Sequence, residues 1–148
     1  MDNIIKELTN KDDKKAYALT KEIAAASELS PKYYSSLELF ASLLSDKKSY
    51  IRTRAFMLCC SQARWDDEGK LKQLIPDLMV LFHDAKPTVV RQCLNAAKEI
   101  AIFRPELSET INAELDQIDL TCYKDSMAEL IRADITALKE LIAEAAER

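Results

Sequence analysis

The sequence predicts an all-α protein assembled from stacked helix pairs, and three observations carry that expectation. The chain of 148 residues contains one Gly and four Pro, too few turn-formers for the hairpins of an all-β fold. It leans on Ala, Leu, Glu and Lys, which favour helix, and its 48% of hydrophobic residues suffices to bury one domain's core without disulfides. The third observation is an internal repeat, whose period decides the architecture.

Three segments carry one order of features: an Asp, a short polar stretch, a branched apolar residue followed at once by Arg, then apolar residues at helical spacing. Asp46 precedes Ile51-Arg52, and Ala55, Leu58 and Gln62 follow. Asp84 precedes Val90-Arg91, with Leu94, Ala97 and Ala101 behind it. Asp125 precedes Ile131-Arg132, and the stripe runs through Ile135, Leu138 and Ile142. Steps of three and four residues hold each stripe on one helix face. The Arg residues recur 39 positions apart (52 to 91) and then 41 (91 to 132), the interval of a two-helix repeat. Ile51, Leu58, Val90, Leu94, Ile131, Ile135 and Leu138 are accordingly expected between the layers.

Each of these helices has an upstream partner. Residues 31–45 carry Leu37, Phe40, Ala41 and Leu44 on one side; residues 70–82 carry Leu71, Leu74, Leu78, Leu81 and Phe82; residues 105–118 carry Leu107, Ile111, Leu115 and Ile118. Ser30-Pro31 and Arg104-Pro105 mark starts, since a first-turn Pro gives up an N–H the helix does not use. Glu106 and Glu109 suit the positive end of the third partner helix. Pro76 falls inside the second and is expected to kink it. Residues 13–28, with Ala16, Leu19, Ile23 and Ala26, read as a capping helix. The chain is thus one domain over 1–148, with about seven helices: the cap and repeats near 31–65, 69–103 and 105–146.

The segment LKQLIPDLMVLFHDAKPTVVRQCLNAAKEIA, Leu71 to Ala101, resembles a HEAT repeat of the ARM-type family: Pro76 in the first helix, Asp84 and Pro87 around the turn, Val90-Arg91 opening the second helix. The units near Pro31 and Pro105 lack counterparts of Pro76 and Pro87, and rest on their Asp and Arg positions. The chain is also similar to small stand-alone bacterial HEAT-like proteins. The resemblance implies a right-handed superhelical stack (a solenoid) of antiparallel helix pairs, first helices convex, second helices concave, and use as a binding platform. It further implies an interior ladder in which Asp46, Asp84 and Asp125 serve turn N–H groups and Arg52, Arg91 and Arg132 bridge neighbouring units.

Most chemical functions find no support in the residues. One Gly and one His provide neither a phosphate loop nor a metal-spaced cluster. The His, His83, ends a predicted helix without a nucleophile at a fitting spacing. Cys59, Cys60, Cys93 and Cys122 form no C-x-x-C and read as reduced thiols in apolar helical stretches. The expectation is a non-enzyme without cofactor or metal. A net charge of −4 speaks against nucleic acid or an anionic membrane as default partner. The charge is uneven: residues 1–104 hold 17 basic and 14 acidic groups, residues 105–148 hold 4 and 11. The start MDNIIKELTNKDD resembles no export signal, and apolar runs such as Leu78 to Phe82 are far short of the roughly 18 residues of a membrane span. A soluble, cytoplasmic protein is expected.

The face half a turn from the buried stripes carries Thr53, Met57, Cys60 and Arg64, then Gln92, Asn95, Ala96 and Glu99, then Ala133, Thr136 and Glu140. This mixed row suits a peptide or helix of another protein better than a polyanion. Trp65, between Arg64 and Asp66-Asp67-Glu68, either anchors a partner or plugs the junction between repeats. The expected function is a non-catalytic scaffold or adaptor that holds a partner in its concave groove through Met57, Arg64, Trp65, Gln92, Asn95 and Glu99, with self-association left open. The alternative is a nucleic-acid-binding protein distantly similar to HEAT-like alkylpurine DNA glycosylases, relying on Arg52 or Arg54.

Overall fold

The computed structural model describes residues 2–147, and every regular element among them is helical. The α-helices are α1 (Asp2–Leu8), α2 (Asp13–Ser27), α3 (Leu37–Ala41), α4 (Ser49–Cys60), α5 (Lys70–Met79), α6 (Pro87–Ala96), α7 (Lys98–Phe103), α8 (Ser108–Leu115) and α9 (Asp125–Ala146). Short 3-10 turns occupy Pro31–Ser36, Ala63–Trp65, Val80–His83, Pro105–Leu107 and Leu120–Cys122. No helix among the described residues is long and apolar enough to cross a membrane.

Helix starts follow the local chemistry. Asp12 accepts the Lys14 N–H ahead of α2, and Ser30 accepts the Lys32 N–H with Pro31 in the first turn, each satisfying a donor the helix leaves free. At α5 the chain turns through Gly69 at φ 72°, where a side chain would be strained. Asp66, four residues upstream, then reaches over to accept the Lys70 and Leu71 N–H groups at 2.8 and 3.0 Å.

The number of helices exceeds the expected seven. The stretch ahead of α1's neighbour forms a helix of its own, and the expected helix over 31–45 becomes a 3-10 turn followed by the short α3. Lys32-Tyr33-Tyr34-Ser35-Ser36 explains the latter, since aromatics and Ser are weak helix formers and Ser competes for backbone partners. Residues 105–118 divide in the same way into a 3-10 turn and α8. Helix α5 runs on past the exposed Pro76 to Met79 before tightening into a 3-10 turn. Helices α6 and α7 form nearly one helix, because Ala97 between them keeps right-handed helical angles.

Two layers result. Helices α2, α4, α6 and α9 pack side by side in that order, and against them lie α3, then α5 with its 3-10 turn, then α8. Phe40, Phe56 and Phe82 are fully buried, with Leu58, Leu94 and Ile131 among the other enclosed side chains. Phe56 of α4 meets Phe82 of the opposite layer with ring centroids 5.9 Å apart. Of the seven residues expected between the layers all are buried except Ile135, which is half-buried. At about 100° per residue, Leu138 and Ile142 fall within about 20° of Ile131 around α9, whereas Ile135 is turned about 40° away.

The inner layer is stitched along both edges. Along the first, Arg52 donates from Nε and Nη2 to the Asp84 carboxylate at 3.0 and 3.2 Å, and from Nη1 to the carbonyls of Asp46 and Lys47. Asp84 also accepts the Lys86 N–H, and its carbonyl accepts the Tyr123 O–H at 2.6 Å. Asp46 accepts the Lys48 N–H, as the ladder requires. The third rung differs: Arg91 pairs with Asp134 at 2.7 Å, not with Asp125. Asp125 is the exposed first residue of α9, and Arg132 is exposed beside Glu129 of its own helix. The reason is register. Asp46 and Asp84 stand three residues ahead of α4 and α6, whereas Asp125 is the first residue of α9 itself, so Arg91 meets Asp134 farther along that helix.

The opposite edge has its own stitches. Trp65 Nε1 donates to the Ser27 carbonyl at 2.6 Å, Gln62 Nε2 to Ser27 Oγ at 2.9 Å, and Arg64 Nη1 to the Glu28 carbonyl at 2.9 Å. One unit further on, Arg104 Nε donates to the Ala63 carbonyl at 2.6 Å and Nη2 to Asp67 at 3.1 Å. These cations and N–H groups take up carbonyls at the helix ends, where intrahelical donors run out.

Candidate functional site

A single open groove of ≈ 880 Å³ crosses the exposed side of the inner layer, lined by residues of α2, α4, α6, α7 and α9. Its side toward the helix starts carries Tyr17 and Tyr50, with the Arg54 guanidinium 5.0 Å from each ring centroid. The middle carries Met57, Val89, Ala96 and Met127 with the amides of Gln92 and Asn95. Gln92, Asn95, Ala96 and Glu99 stand at i, i+3, i+4 and i+7, so the near-continuous α6–α7 helix presents them on one face.

Four of the six partner-contact residues selected from sequence, Met57, Gln92, Asn95 and Glu99, therefore share this groove. Arg64 and Trp65 do not line it. Both are half-buried at the edge, Trp65 closing the junction on Ser27 and Arg64 stacked 4.5 Å from the Phe103 ring centroid. Thr53 and Cys60 line the groove only as buried floor. Ala133, Thr136 and Glu140 fall outside it, and α9 contributes Met127 and Asp134 instead, residues of a flank turned about 100–120° around the helix from Ala133. Sequence reasoning also passed over Tyr17, Tyr50 and Arg104. The recurrence of Arg64 and Arg104, 40 residues apart at the ends of successive units, is the signal that marks the second seam.

The electrostatics of the groove are largely settled within its own walls. Arg54 pairs with Asp13 at 2.8 Å, and the guanidinium holds that carboxyl below the usual carboxylate range. Arg91 pairs with Asp134, which raises the Arg91 pKa further. Arg52, the other cation on which nucleic-acid contact would rest, is engaged by Asp84. Glu99 is the exception. Burial pushes its carboxyl up, partly offset by the charge of Arg64 and reinforced by Glu28, and its Oε2 is buried without a hydrogen-bond partner.

The thiols are of two kinds. Cys59, Cys60 and Cys93 are buried, and burial raises each well above the ordinary thiol range, which keeps them from acting as thiolates at neutral pH. Cys122 is exposed in the 3-10 turn before α9, outside the apolar helical setting expected of it. His83 closes its 3-10 turn as expected and contacts Glu114 of α8, away from the groove.

Compared with known protein families, curated proteins and solved structures, the chain matches none. Function is argued from the groove itself.

Proposed function

We propose that this protein is a HEAT-type α-solenoid, a right-handed stack of helix pairs, that works as a non-catalytic scaffold by holding a segment of another protein in the groove. The observation that carries the reading is the groove's composition: apolar side chains, amides and one unpaired carboxylate together on a stitched helical support. Protein interfaces mix apolar contact with oriented polar groups in this way. The solenoid reading draws support from stitches that always join one unit to the next, Arg52 to Asp84 and Arg91 to Asp134 on one edge, Trp65 to Ser27 and Arg104 to Ala63 on the other, since a solenoid coheres through nearest-neighbour interfaces. Pairing of Arg52, Arg54 and Arg91 with carboxylates favours a protein segment over a polyanion, which needs uncompensated cations.

A photo-crosslinking residue at Gln92 tests the reading, with Val80, 65% exposed on the opposite layer, as control position. Crosslinking in a cell extract is expected to give a discrete protein adduct from position 92 and none from position 80. Equal labelling from both positions, or none from 92, removes the groove from consideration.

A further inference from the structure

The groove contains one charge that its own walls leave unmet. Arg54 and Arg91 are matched by Asp13 and Asp134, whereas Glu99 has no ion-pair partner among the described residues and its buried Oε2 accepts no hydrogen bond. The ionisable groups facing it are Arg64 after α4, Glu28 at the end of α2, and the neutral Cys60 thiol of α4. Two carboxylates against one guanidinium leave a local excess of one negative charge. The Arg64 guanidinium donates from Nη1 to the Glu28 carbonyl and lies against the Phe103 ring, and although its charge favours the ionised Glu99 its own buried Nε donates to neither carboxylate. A carboxylate left unpaired in a part-buried wall weakens the fold, and a cation brought by a partner against that wall offsets part of the penalty through its charge.

We infer that the groove takes an amphipathic segment of another protein that rests apolar side chains on Met57, Ala96 and Met127 and delivers one Lys or Arg to Glu99. Charge complementarity selects this occupant. A neutral segment leaves Glu99 unmet, and an acidic one adds repulsion beside Glu28 and Glu99. Gln92 and Asn95, two turns and one turn before Glu99 on the same face, provide both donors and acceptors that fix the register of the entering segment.

The inference rests on the groove reading, and the experiment separates the two. A random peptide library is selected on the folded protein, and enriched peptides are synthesised with and without their cationic residue. Enriched peptides are expected to share apolar residues at i and i+3 or i+4 with one Lys or Arg at a fixed register, and to lose binding to Met57→Glu. Affinity is expected to fall about tenfold or more on Glu99→Gln, and equally on replacing the peptide cation with norleucine, with no further loss when both changes are combined. The peptide-side change leaves the protein untouched, so a folding defect cannot imitate the result. Groove-binding peptides without a shared cation, or with unchanged affinity for Glu99→Gln, overturn the inference while the groove reading stands. A dimer abolished by Met57→Glu makes the occupant a second copy of the chain and overturns it too. Failure to enrich any peptide that Met57→Glu releases overturns both.

Discussion

At the scale of single residues, Glu99 and Asp84 show how differently two acids are used. Asp84 accepts from Arg52 through both carboxylate oxygens and from Tyr123 through its carbonyl, so its charge is fully employed in joining units. Glu99 has no ion-pair partner among the described residues and feels Arg64 only through its charge, and burial raises its pKa above the ordinary value of 4.5. Below that value Glu99 is protonated in folded and unfolded chains alike, and its burial carries no charge penalty. Between the ordinary and the raised value the unfolded chain gives up a proton that the folded chain keeps, so stability falls as pH rises, and the loss is complete once the folded carboxyl has ionised. Glu99→Gln is therefore expected to melt at a higher temperature than the parent at pH 7, with the gap closing as the pH falls below the ordinary value. A gap that is constant across pH, read by calorimetry, would show that the carboxyl is not destabilised. A residue that weakens the fold yet lines the groove is what a binding role predicts.

At the scale of elements, the seam through Arg52 and Asp84 ties α4 to the turn that precedes α6. The pair is mostly shielded, with side-chain exposures of 18% and 8%, so it escapes much of the screening that makes surface pairs nearly worthless. Arg52→Ala is expected to cost about 2 kcal/mol, from the stranded carboxylate and the two carbonyls it also serves. Adding Asp84→Ala should cost little more, and additive losses in urea melts would show that the two residues act independently. This seam was legible in the sequence because each Asp stands close ahead of an apolar-Arg pair and the interval recurs. The third rung was not, because alignment on Ile131-Arg132 assumes a common helix start, and α9 starts at Asp125. Helix periodicity reports the phase around an axis and is blind to where the axis begins. Counting half a turn from the buried stripe brought Met57, Gln92, Asn95 and Glu99 to the groove and left out Met127 and Asp134, because α9, with one inner-layer neighbour, turns a different flank toward it. Sequence reasoning also assigned Trp65 and Arg64 an outward role, since a residue at a junction has no periodic pattern that tells stitch from contact.

At the scale of the whole molecule, the described contacts join neighbouring units, and α4 and α6 each have an inner-layer neighbour on both sides while α9 has one. Hydrogen exchange is expected to be slowest in α4 and α6 and fastest in α1 and the last turns of α9. Uniform protection along the chain would mean that the units open only together. The two layers also differ in how they are fastened. The inner layer is held at both helix ends by Arg52, Trp65, Arg91 and Arg104, whereas the outer layer is bridged by the more exposed pairs Lys70–Glu38 and His83–Glu114. In mechanical terms the fastened layer is the stiffer ply, so a pulling force is expected to open the pairs Lys70–Glu38 and His83–Glu114 before it disturbs the groove.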